Sequence, residues 1–183
     1  MGGYEPPFLF ADCISLKGAN NVIAIYYLLA IVIIGLDQFT KWLVAAYMEI
    51  GESIPVIDGV LHITSHRNEG AAFGILQGQM WLFFIVTIVV VIGVVYFMQK
   101  MGRQSVWIGM PLGILLGGTI GNFIDRLFHG EVIDFIDVYI GTYSFPIFNV
   151  ADSALTVGII LLIGKMFLDE RREKKKKEKA DES

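Results

Sequence analysis

Four long apolar stretches dominate the pattern of hydrophobic and polar positions along the chain, and they cover residues 22–46, 80–98, 106–124 and 147–168. The second and third each run for 19 residues without a charge. About 20 apolar residues cross the hydrocarbon core of a bilayer as a helix, because a helix satisfies its own backbone hydrogen bonds there. The pattern therefore predicts four transmembrane helices and a mainly α, polytopic membrane protein.

Basic residues are distributed unevenly around these stretches. The tail, residues 169–183, holds 7 of the 14 Lys and Arg, and the link between the second and third stretches carries Lys100 and Arg103. The loops at about 46–78 and 126–148 hold one basic residue each. Since basic flanks stay in the cytoplasm, we expect both termini to be cytoplasmic and both loops to be extracytoplasmic.

The first of these loops has a local pattern of its own. Apolar runs at residues 54–57 and 60–64 flank Asp58 and Gly59, a pair that suits a tight hairpin turn. The fold class that we predict is therefore four transmembrane helices with a small β element in the first extracytoplasmic loop.

The composition indicates a membrane environment. The whole chain is 55% hydrophobic and 17% charged, whereas a soluble domain carries roughly a quarter charged residues. We expect a bilayer around it and no nucleic-acid partner, since no basic face is available for one. The chain divides into an N-terminal extension at 1–20, taken as cytoplasmic and poorly ordered, a transmembrane domain at 21–168, and a basic cytoplasmic tail at 169–183.

Charged side chains within the apolar stretches, at their edges and in the loop between the third and fourth stretches indicate a functional site. An ionisable group in a bilayer is costly, so its presence indicates a partner or a function. The predicted topology brings six of them to one level near the outer interface, namely Asp37, Lys41, Asp125, Arg126, Asp134 and Asp152. A path for ions would spread polar groups through the depth of the membrane, whereas a site for chemistry collects them at one depth.

Structural explanations fit several of the same residues. Asp37 and Lys41 are spaced i, i+4 with the acid first, so they can neutralise each other on one helix face. Asn149 and Asp152 fit an N-cap followed by an acid at the third helical position. Both interpretations remain open at this point.

Other polar residues favour structural roles. Asp125 beside Arg126 is typical of a structural ion pair, and the segment 130–140 could be an interfacial helix with its acids on the polar face. We prefer that helical interpretation for Glu131 and Asp137. A glycine stripe spaced at four residues predicts close helix packing in the third span, through Gly113, Gly117 and Gly121.

Several membrane chemistries lack their motifs in this chain. No HExxH string is present for a metalloprotease and no GxSxG string for a serine protease. His62 and His66 would adjoin each other only on a helix, and their segment is predicted to be a strand, which argues against a metal site. The carboxylates, with nearby amides and bases, remain as candidates for chemistry.

Five strings along the chain carry a resemblance to a known family. They are DQFTK at 37–41, RNEGAAF at 67–73, GNFIDR at 121–126, GEVIDF at 130–135 and FNVADS at 148–153. In order, spacing and topology over residues 22–168 they resemble the motif set of bacterial lipoprotein signal peptidase, also called signal peptidase II.

The resemblance implies an aspartyl endopeptidase of the bacterial inner membrane. Such an enzyme removes the signal peptide of a diacylglyceryl-modified prolipoprotein immediately before the lipidated cysteine. The resemblance implies Asp134 and Asp152 as the catalytic pair, with a supporting set of Asp37, Lys41, Asn68, Asn122, Asp125, Arg126 and Asn149. The substrate implies contact with membrane lipid, and the distribution of basic residues places the active site toward the extracytoplasmic face. We expect no metal or other cofactor, and a monomer.

Two carboxylates are chemically sufficient for this reaction. One ionised group draws a proton from water, while a protonated group binds the scissile carbonyl and later protonates the leaving nitrogen. Two carboxylates that share a site hold one proton between them, because both cannot ionise cheaply. Two other functions remain open on the residues alone: a proton-coupled transporter that uses the same acids as a relay, and an assembly factor that packs through the glycine stripe.

Overall fold

The computed structural model describes residues 16–70 and 79–181, which form four long helices and a small antiparallel sheet. The helices are α1 (Leu16–Tyr47), α2 (Met80–Lys100), α3 (Val106–His129) and α4 (Val150–Asp181). Each contains an apolar stretch that is long enough to cross a membrane. The prediction of a mainly α protein with four membrane-spanning helices is confirmed.

Two of the helices extend beyond the predicted spans. Helix α1 begins at Leu16, inside the predicted N-terminal extension, and residues 1–15 lie outside the described part of the chain. Helix α4 continues without a break through the basic tail to Asp181. Ion pairs spaced i, i+4 support this continuation, including one of 2.7 Å between Lys174 and Glu170.

The sheet combines both predicted outer loops. Its strands are β1 (Ser53–Ile57), β2 (Leu61–Asn68), β3 (Val132–Ile140) and β4 (Tyr143–Ser144), in the order β1-β2-β3-β4. The predicted hairpin is confirmed by the antiparallel pairing of β1 with β2, and its turn contains Gly59 with a φ of 70°. The sheet is larger than predicted, because β3 and β4 add two strands from the second loop.

The prediction of an interfacial helix over residues 130–140 is wrong. Residues 132–140 form β3, which pairs with β2 and places Asp134 opposite His66. The segment is rich in β-branched and aromatic residues, which favour strands. One face packs Ile133 and Phe135 against Val44 near the end of α1. Both faces at the start of the strand are buried, so the strand lacks the alternation of polar and apolar residues that would have indicated a β structure.

Helix α3 lies at the centre of the bundle and packs against the other three helices. Its glycine stripe faces α1: a Cβ added at Gly113 would lie 2.7 Å from the backbone oxygen of Tyr26, and one added at Gly117 would lie 2.8 Å from Cβ of Ile33. The prediction that this stripe serves close packing is confirmed. Because the helices alternate in direction, the sheet lies at the end where α1 and α3 finish and α4 begins.

We expect Gly117→Ala to destabilise the bundle by about 1–3 kcal/mol, because the new methyl group has no space against α1. Gly35→Ala in α1 is the matched control, since a Cβ there meets nothing within 4 Å. That control should change stability by less than about 1 kcal/mol, and in the stabilising direction. Unfolding of both variants by SDS in mixed micelles measures the difference, and equal stability of the two would contradict the packing assigned to Gly117.

Candidate active site

The N-terminus of α4 is built on a reciprocal pair of side-chain caps. The backbone N–H of Asp152 donates to Oδ1 of Asn149 at 2.9 Å, and the backbone N–H of Asn149 donates to Oδ2 of Asp152 at 3.2 Å. The predicted N-cap is therefore confirmed, and it has the form of a capping box. This arrangement fixes the Asp152 carboxylate at the start of the helix.

Asp134 is positioned by the turn that follows α3. Gly130 ends that helix with a φ of 75°, in the left-handed region that glycine accepts without strain, and β3 starts two residues later. The Asp134 side chain is 1% exposed. Its Oδ1 accepts from Nδ2 of Asn149 at 2.7 Å, and its Oδ2 accepts from Nδ2 of Asn68 at 2.9 Å. Strand β2 and helix α4 therefore both hold this carboxylate.

Two asparagine amides join Asp134 to Asp152. Nδ2 of Asn122, on α3, donates to Oδ1 of Asp152 at 2.7 Å. The Oδ1 atom of Asn122 accepts from Nδ2 of Asn149 at 3.1 Å, and Asn149 also donates to Asp134. The two carboxylates thus belong to one hydrogen-bond network, although they lie on different elements.

A buried ion cluster lies beneath this network. The Nζ atom of Lys41, whose side chain is 2% exposed, lies 2.7 Å from Oδ2 of Asp37 and 2.9 Å from Oδ2 of Asp125. It also donates to Oδ1 of Asn122 at 2.9 Å. Because an ammonium group only donates, Lys41 directs the carbonyl end of the Asn122 amide toward itself and the NH₂ end toward Asp152.

The predicted ion pair between Asp125 and Arg126 is replaced by another arrangement. Asp125 pairs with Lys41, whereas the guanidinium of Arg126 lies 4.5 Å from the ring centroid of Phe83 on α2. Adjacent residues on a helix point about 100° apart, so Asp125 faces α1 and Arg126 faces α2. Arg126 also donates to the backbone oxygen of Gly70 at 3.3 Å, and its Nε has no partner among the described residues.

The two acids of the ion cluster also hold backbone groups beside Asp134 and Asp152. Oδ1 of Asp37 accepts from the backbone N–H of Ala151 at 2.9 Å, and Oδ2 of Asp125 accepts from that of Ile133 at 3.2 Å. Ala151 and Ile133 each immediately precede one of the two aspartates. A carboxylate from α1 therefore satisfies a free N–H in the first turn of α4, which is a favourable place for negative charge.

A cavity of about 610 Å³ opens beside the network. Five predicted site residues line it: Asn68, Asn122, Arg126, Asp134 and Asp152. The remaining wall is mainly apolar and includes residues 145–148 and two side chains of α4, Leu155 and Val157. The cavity therefore joins a polar end that carries both carboxylates to a surface suited to an apolar ligand.

Burial changes the acidity of Asp134. The pKa of this carboxyl rises from 3.8 to about 6, chiefly because the group is removed from water and also because the charge of Asp152 is nearby. Hydrogen bonds from Asn68 and Asn149 and the positive charge of Lys41 act in the opposite direction. Asp134 thus holds a proton in a pH range where an exposed carboxyl is ionised.

Within residues 16–70 and 79–181, no group of three or more His, Cys, Asp or Glu side chains is placed to hold a metal ion. His62 contacts Ser53 through Nδ1 at 3.3 Å. Its partner residue in register on β3 is Asp137, which accepts from the hydroxyl of Thr64 at 2.8 Å. These contacts tie together the outer part of the sheet.

Comparison with known proteins identifies the family. A family model described as signal peptidase (SPase) II matches residues 29–168. The chain belongs to the signal peptidase II family. It is a membrane-embedded, multi-pass protease with signal peptidase function, so the resemblance carried by the five strings is confirmed and the enzyme prediction with it.

Similar members of the signal peptidase II family cover most of the chain. The lipoprotein signal peptidase of Halalkalibacterium halodurans is 63% identical over 153 residues, which are 84% of this chain and 98% of that protein. That of Geobacillus thermodenitrificans is 63% identical over 143 residues, covering 78% and 89% of the two chains. A solved structure of a bacterial membrane enzyme superposes with a TM-score of 0.77 at 48% identity, over 81% of this chain and 90% of that one.

The structure brings all nine predicted site residues into one connected region, and their roles stay predictions. Three residues of the RNEGAAF string, at 71–73, lie outside the described residues. The sequence did not single out Gln38, whose side-chain amide contacts both acids of the ion cluster, or Phe83, which lies beneath the Arg126 guanidinium. A glutamine inside an apolar span, next to an aspartate, was the available signal for Gln38.

We expect the stability of this signal peptidase to depend on pH through Asp134. The folded pKa of this carboxyl is about 6, above its ordinary value of 3.8, so the folded state binds the proton more tightly and is favoured at low pH. That contribution is complete below about pH 4 and is lost as the pH rises through about 6, which amounts to about 3 kcal/mol. The free energy of unfolding, measured at about pH 4 and pH 7 for wild type and Asp134→Asn, isolates the effect. Equal pH dependence of the two proteins would contradict it.

Proposed function

We propose that this chain cleaves the signal peptide of diacylglyceryl-modified prolipoproteins immediately before the lipidated cysteine, with Asp134 and Asp152 as the catalytic pair. The observation that supports the pair is its placement: both carboxylates line one cavity and share one network of amides. Lipoprotein signal peptidases that are 63% identical to the chain support the substrate class.

The surroundings of the two aspartates differ in a way that suits acid–base catalysis. Asp134 is the more deeply buried, and its raised pKa favours the protonated form. Asp152 lies at the N-terminus of α4 and accepts hydrogen bonds from the backbone N–H of Asn149 and from Asn122. In our proposal, Asp152 is the base and Asp134 is the acid.

The proposed reaction uses Asp152 as the base and Asp134 as the acid. Asp152 takes a proton from a water molecule as that water attacks the scissile carbonyl carbon, while the Asp134 proton is donated in a hydrogen bond to the carbonyl oxygen. The tetrahedral intermediate then collapses, the peptide C–N bond breaks, and the leaving nitrogen receives a proton from the pair. The mechanism uses only side chains of this protein.

Polar residues at the cavity can position the peptide. Arg126 lines the cavity, and its guanidinium is a hydrogen-bond donor of the kind that a substrate carbonyl accepts from. Asn68 lines the cavity from β2 and uses its Nδ2 on Asp134. We propose both as substrate-positioning residues, with Arg126 held in place by its contact with Phe83.

The apolar wall of the cavity suits a lipid-modified substrate. Residues 145–148, Leu155 and Val157 offer a surface on which acyl chains can lie without contacting water. We propose that the cavity faces the outer leaflet of the bacterial inner membrane and that both termini are cytoplasmic, since the basic residues flank the opposite end of the helices. We further propose that the enzyme acts as a monomer, because both carboxylates come from one chain.

We expect Asp134→Asn and Asp152→Asn to lose cleavage by about 1,000-fold or more, because each removes one partner of the acid–base pair. The measurement uses purified protein in lipid mesophase or detergent and a diacylglyceryl-modified prolipoprotein, and follows release of the signal peptide. Asp58→Asn, in the exposed hairpin turn, is the matched control and should retain wild-type turnover.

The same assay tests both parts of the proposal. Near-normal turnover by a folded Asp134→Asn or Asp152→Asn protein would exclude the catalytic pair. A prolipoprotein that carries an unmodified cysteine should be cleaved far more slowly than the lipidated one. Equal rates on the two substrates would exclude the requirement for the diacylglyceryl group while leaving the pair in place.

We expect kcat/KM to decrease as the pH rises above about 6. In the free enzyme the reaction requires the Asp134 proton, and this carboxyl has a pKa of about 6. Well above that pH, the decrease should approach about tenfold per pH unit. The apparent value belongs to the coupled pair. A pH profile that stays flat from about pH 5 to pH 9 would assign the proton to another group.

A further inference from the structure

Gln38 is a polar side chain that contacts both acids of the ion cluster and has no role in the proposed mechanism. It lies on α1, half-buried, between Asp37 and the face of α3 that carries Asp125. We propose that Gln38 is a positioning residue whose side-chain amide joins the supports of the two catalytic aspartates. This inference rests on the proposed function, since it assumes that Asp134 and Asp152 act as a pair.

The amide nitrogen of Gln38 lies within reach of three acceptors. Nε2 lies 2.8 Å from Oδ1 of Asp125, 3.1 Å from the backbone oxygen of Gly121 and 3.3 Å from Oδ2 of Asp37. An amide NH₂ group has two hydrogens and no acceptor capacity, so all three contacts have the correct polarity. The shortest contact is to the acid on the neighbouring helix.

Each acid that Gln38 contacts supports one of the proposed catalytic residues. Asp125 accepts the backbone N–H of Ile133, the residue before Asp134. Asp37 accepts the backbone N–H of Ala151, the residue before Asp152. The amide of Gln38 therefore bridges the two carboxylates that locate the start of β3 and the start of α4. A shift at this bridge changes the distance between the catalytic residues.

Lys41 joins the same two acids, because its Nζ lies 2.7 Å from Oδ2 of Asp37 and 2.9 Å from Oδ2 of Asp125. Gln38 adds a donor on the other oxygen of Asp125, Oδ1. Donors on both oxygens fix the rotation of the carboxylate about its χ2 bond and hold Oδ2 toward the Ile133 N–H. Two acids and one lysine carry a formal charge of −1, so a neutral donor completes the cluster without a further buried charge.

Gln38 acts at a distance from the substrate. It is not among the described residues that line the cavity, whereas Asn122, Asp134 and Asp152 are. Loss of its amide should therefore affect the chemical step rather than substrate binding. A displacement of about 1 Å in a catalytic group can cost about 100-fold in rate, so the expected effect is measurable.

The test compares three glutamine variants in the same cleavage assay. Gln38→Met keeps the length of the side chain and removes its donors, and it should lower kcat by about 10- to 100-fold with KM within about twofold of wild type. Gln38→Asn withdraws the amide by one carbon and should show the same pattern, which decides the question if the methionine variant does not fold. Gln99→Met is the matched control, because Gln99 is also a half-buried glutamine. Its side chain donates from α2 to the hydroxyl group of Tyr27 on α1. This control should retain wild-type kcat and KM.

A double substitution distinguishes positioning from general support. If Gln38 acts through Asp125, then Gln38→Met should cost less than about threefold in kcat in an Asp125→Asn background, and its full cost in the wild type. An equal loss of kcat on Gln38→Met in the wild type and in Asp125→Asn would overturn the proposal that Gln38 acts through Asp125. Wild-type kcat in folded Gln38→Met and Gln38→Asn, or a loss that appears only in KM, would overturn the role of Gln38.

The two proposals fail in different ways. Full turnover by Asp134→Asn excludes the catalytic pair, and the role assigned to Gln38 is lost with it. No turnover by Asp134→Asn together with wild-type kcat in Gln38→Met excludes the role of Gln38 alone. Reduced kcat in Gln38→Met, with the effect diminished in the Asp125→Asn background, supports both.

Discussion

The rest of the structure depends on the burial of the Lys41 ammonium group between two carboxylates. Each of these charges would cost several kcal/mol if it were buried alone, and the cost is offset only when every donor and acceptor is matched. Asp37 comes from the same helix as Lys41, and Asp125 comes from α3. The pairing therefore fixes the register between these helices. It also requires Gly121, because a Cβ there would lie 2.7 Å from Oδ2 of Asp37.

This register places the remaining polar groups. Lys41 sets the orientation of the Asn122 amide, and that orientation presents an N–H to Asp152. Oδ2 of Asp125 and Oδ1 of Asp37 accept from the second backbone N–H group of β3 and of α4, respectively. The start of the strand and the start of the helix are therefore fixed from inside the bundle. The sheet then contributes Asn68 to Asp134. The placement of the proposed catalytic pair is thus a consequence of helix packing.

Features with local causes could be predicted from the sequence. Hydropathy predicted the spans, the Asp58–Gly59 turn predicted the hairpin, and the spacing of Asn149 and Asp152 predicted the cap. Features that depend on a contact partner distant in the sequence could not be predicted in this way. Strand β3 depends on pairing with β2, and Asp125 bonds to Lys41, 84 positions earlier in the chain, rather than to its neighbour. Gln38 could not be ranked above other span residues, because its importance comes from the two acids that it joins.

Lys41 also acts on the proton of the proposed catalytic pair. A free lysine close to Asp134 would stabilise the carboxylate and lower its pKa, which would remove the acid that the reaction needs. Lys41 does lower the pKa of Asp134, as do the hydrogen bonds from Asn68 and Asn149. Burial and the charge of Asp152 outweigh these effects, so the pKa of Asp134 stays at about 6. The lysine that orients the Asn122 amide therefore opposes the proton on Asp134 without removing it.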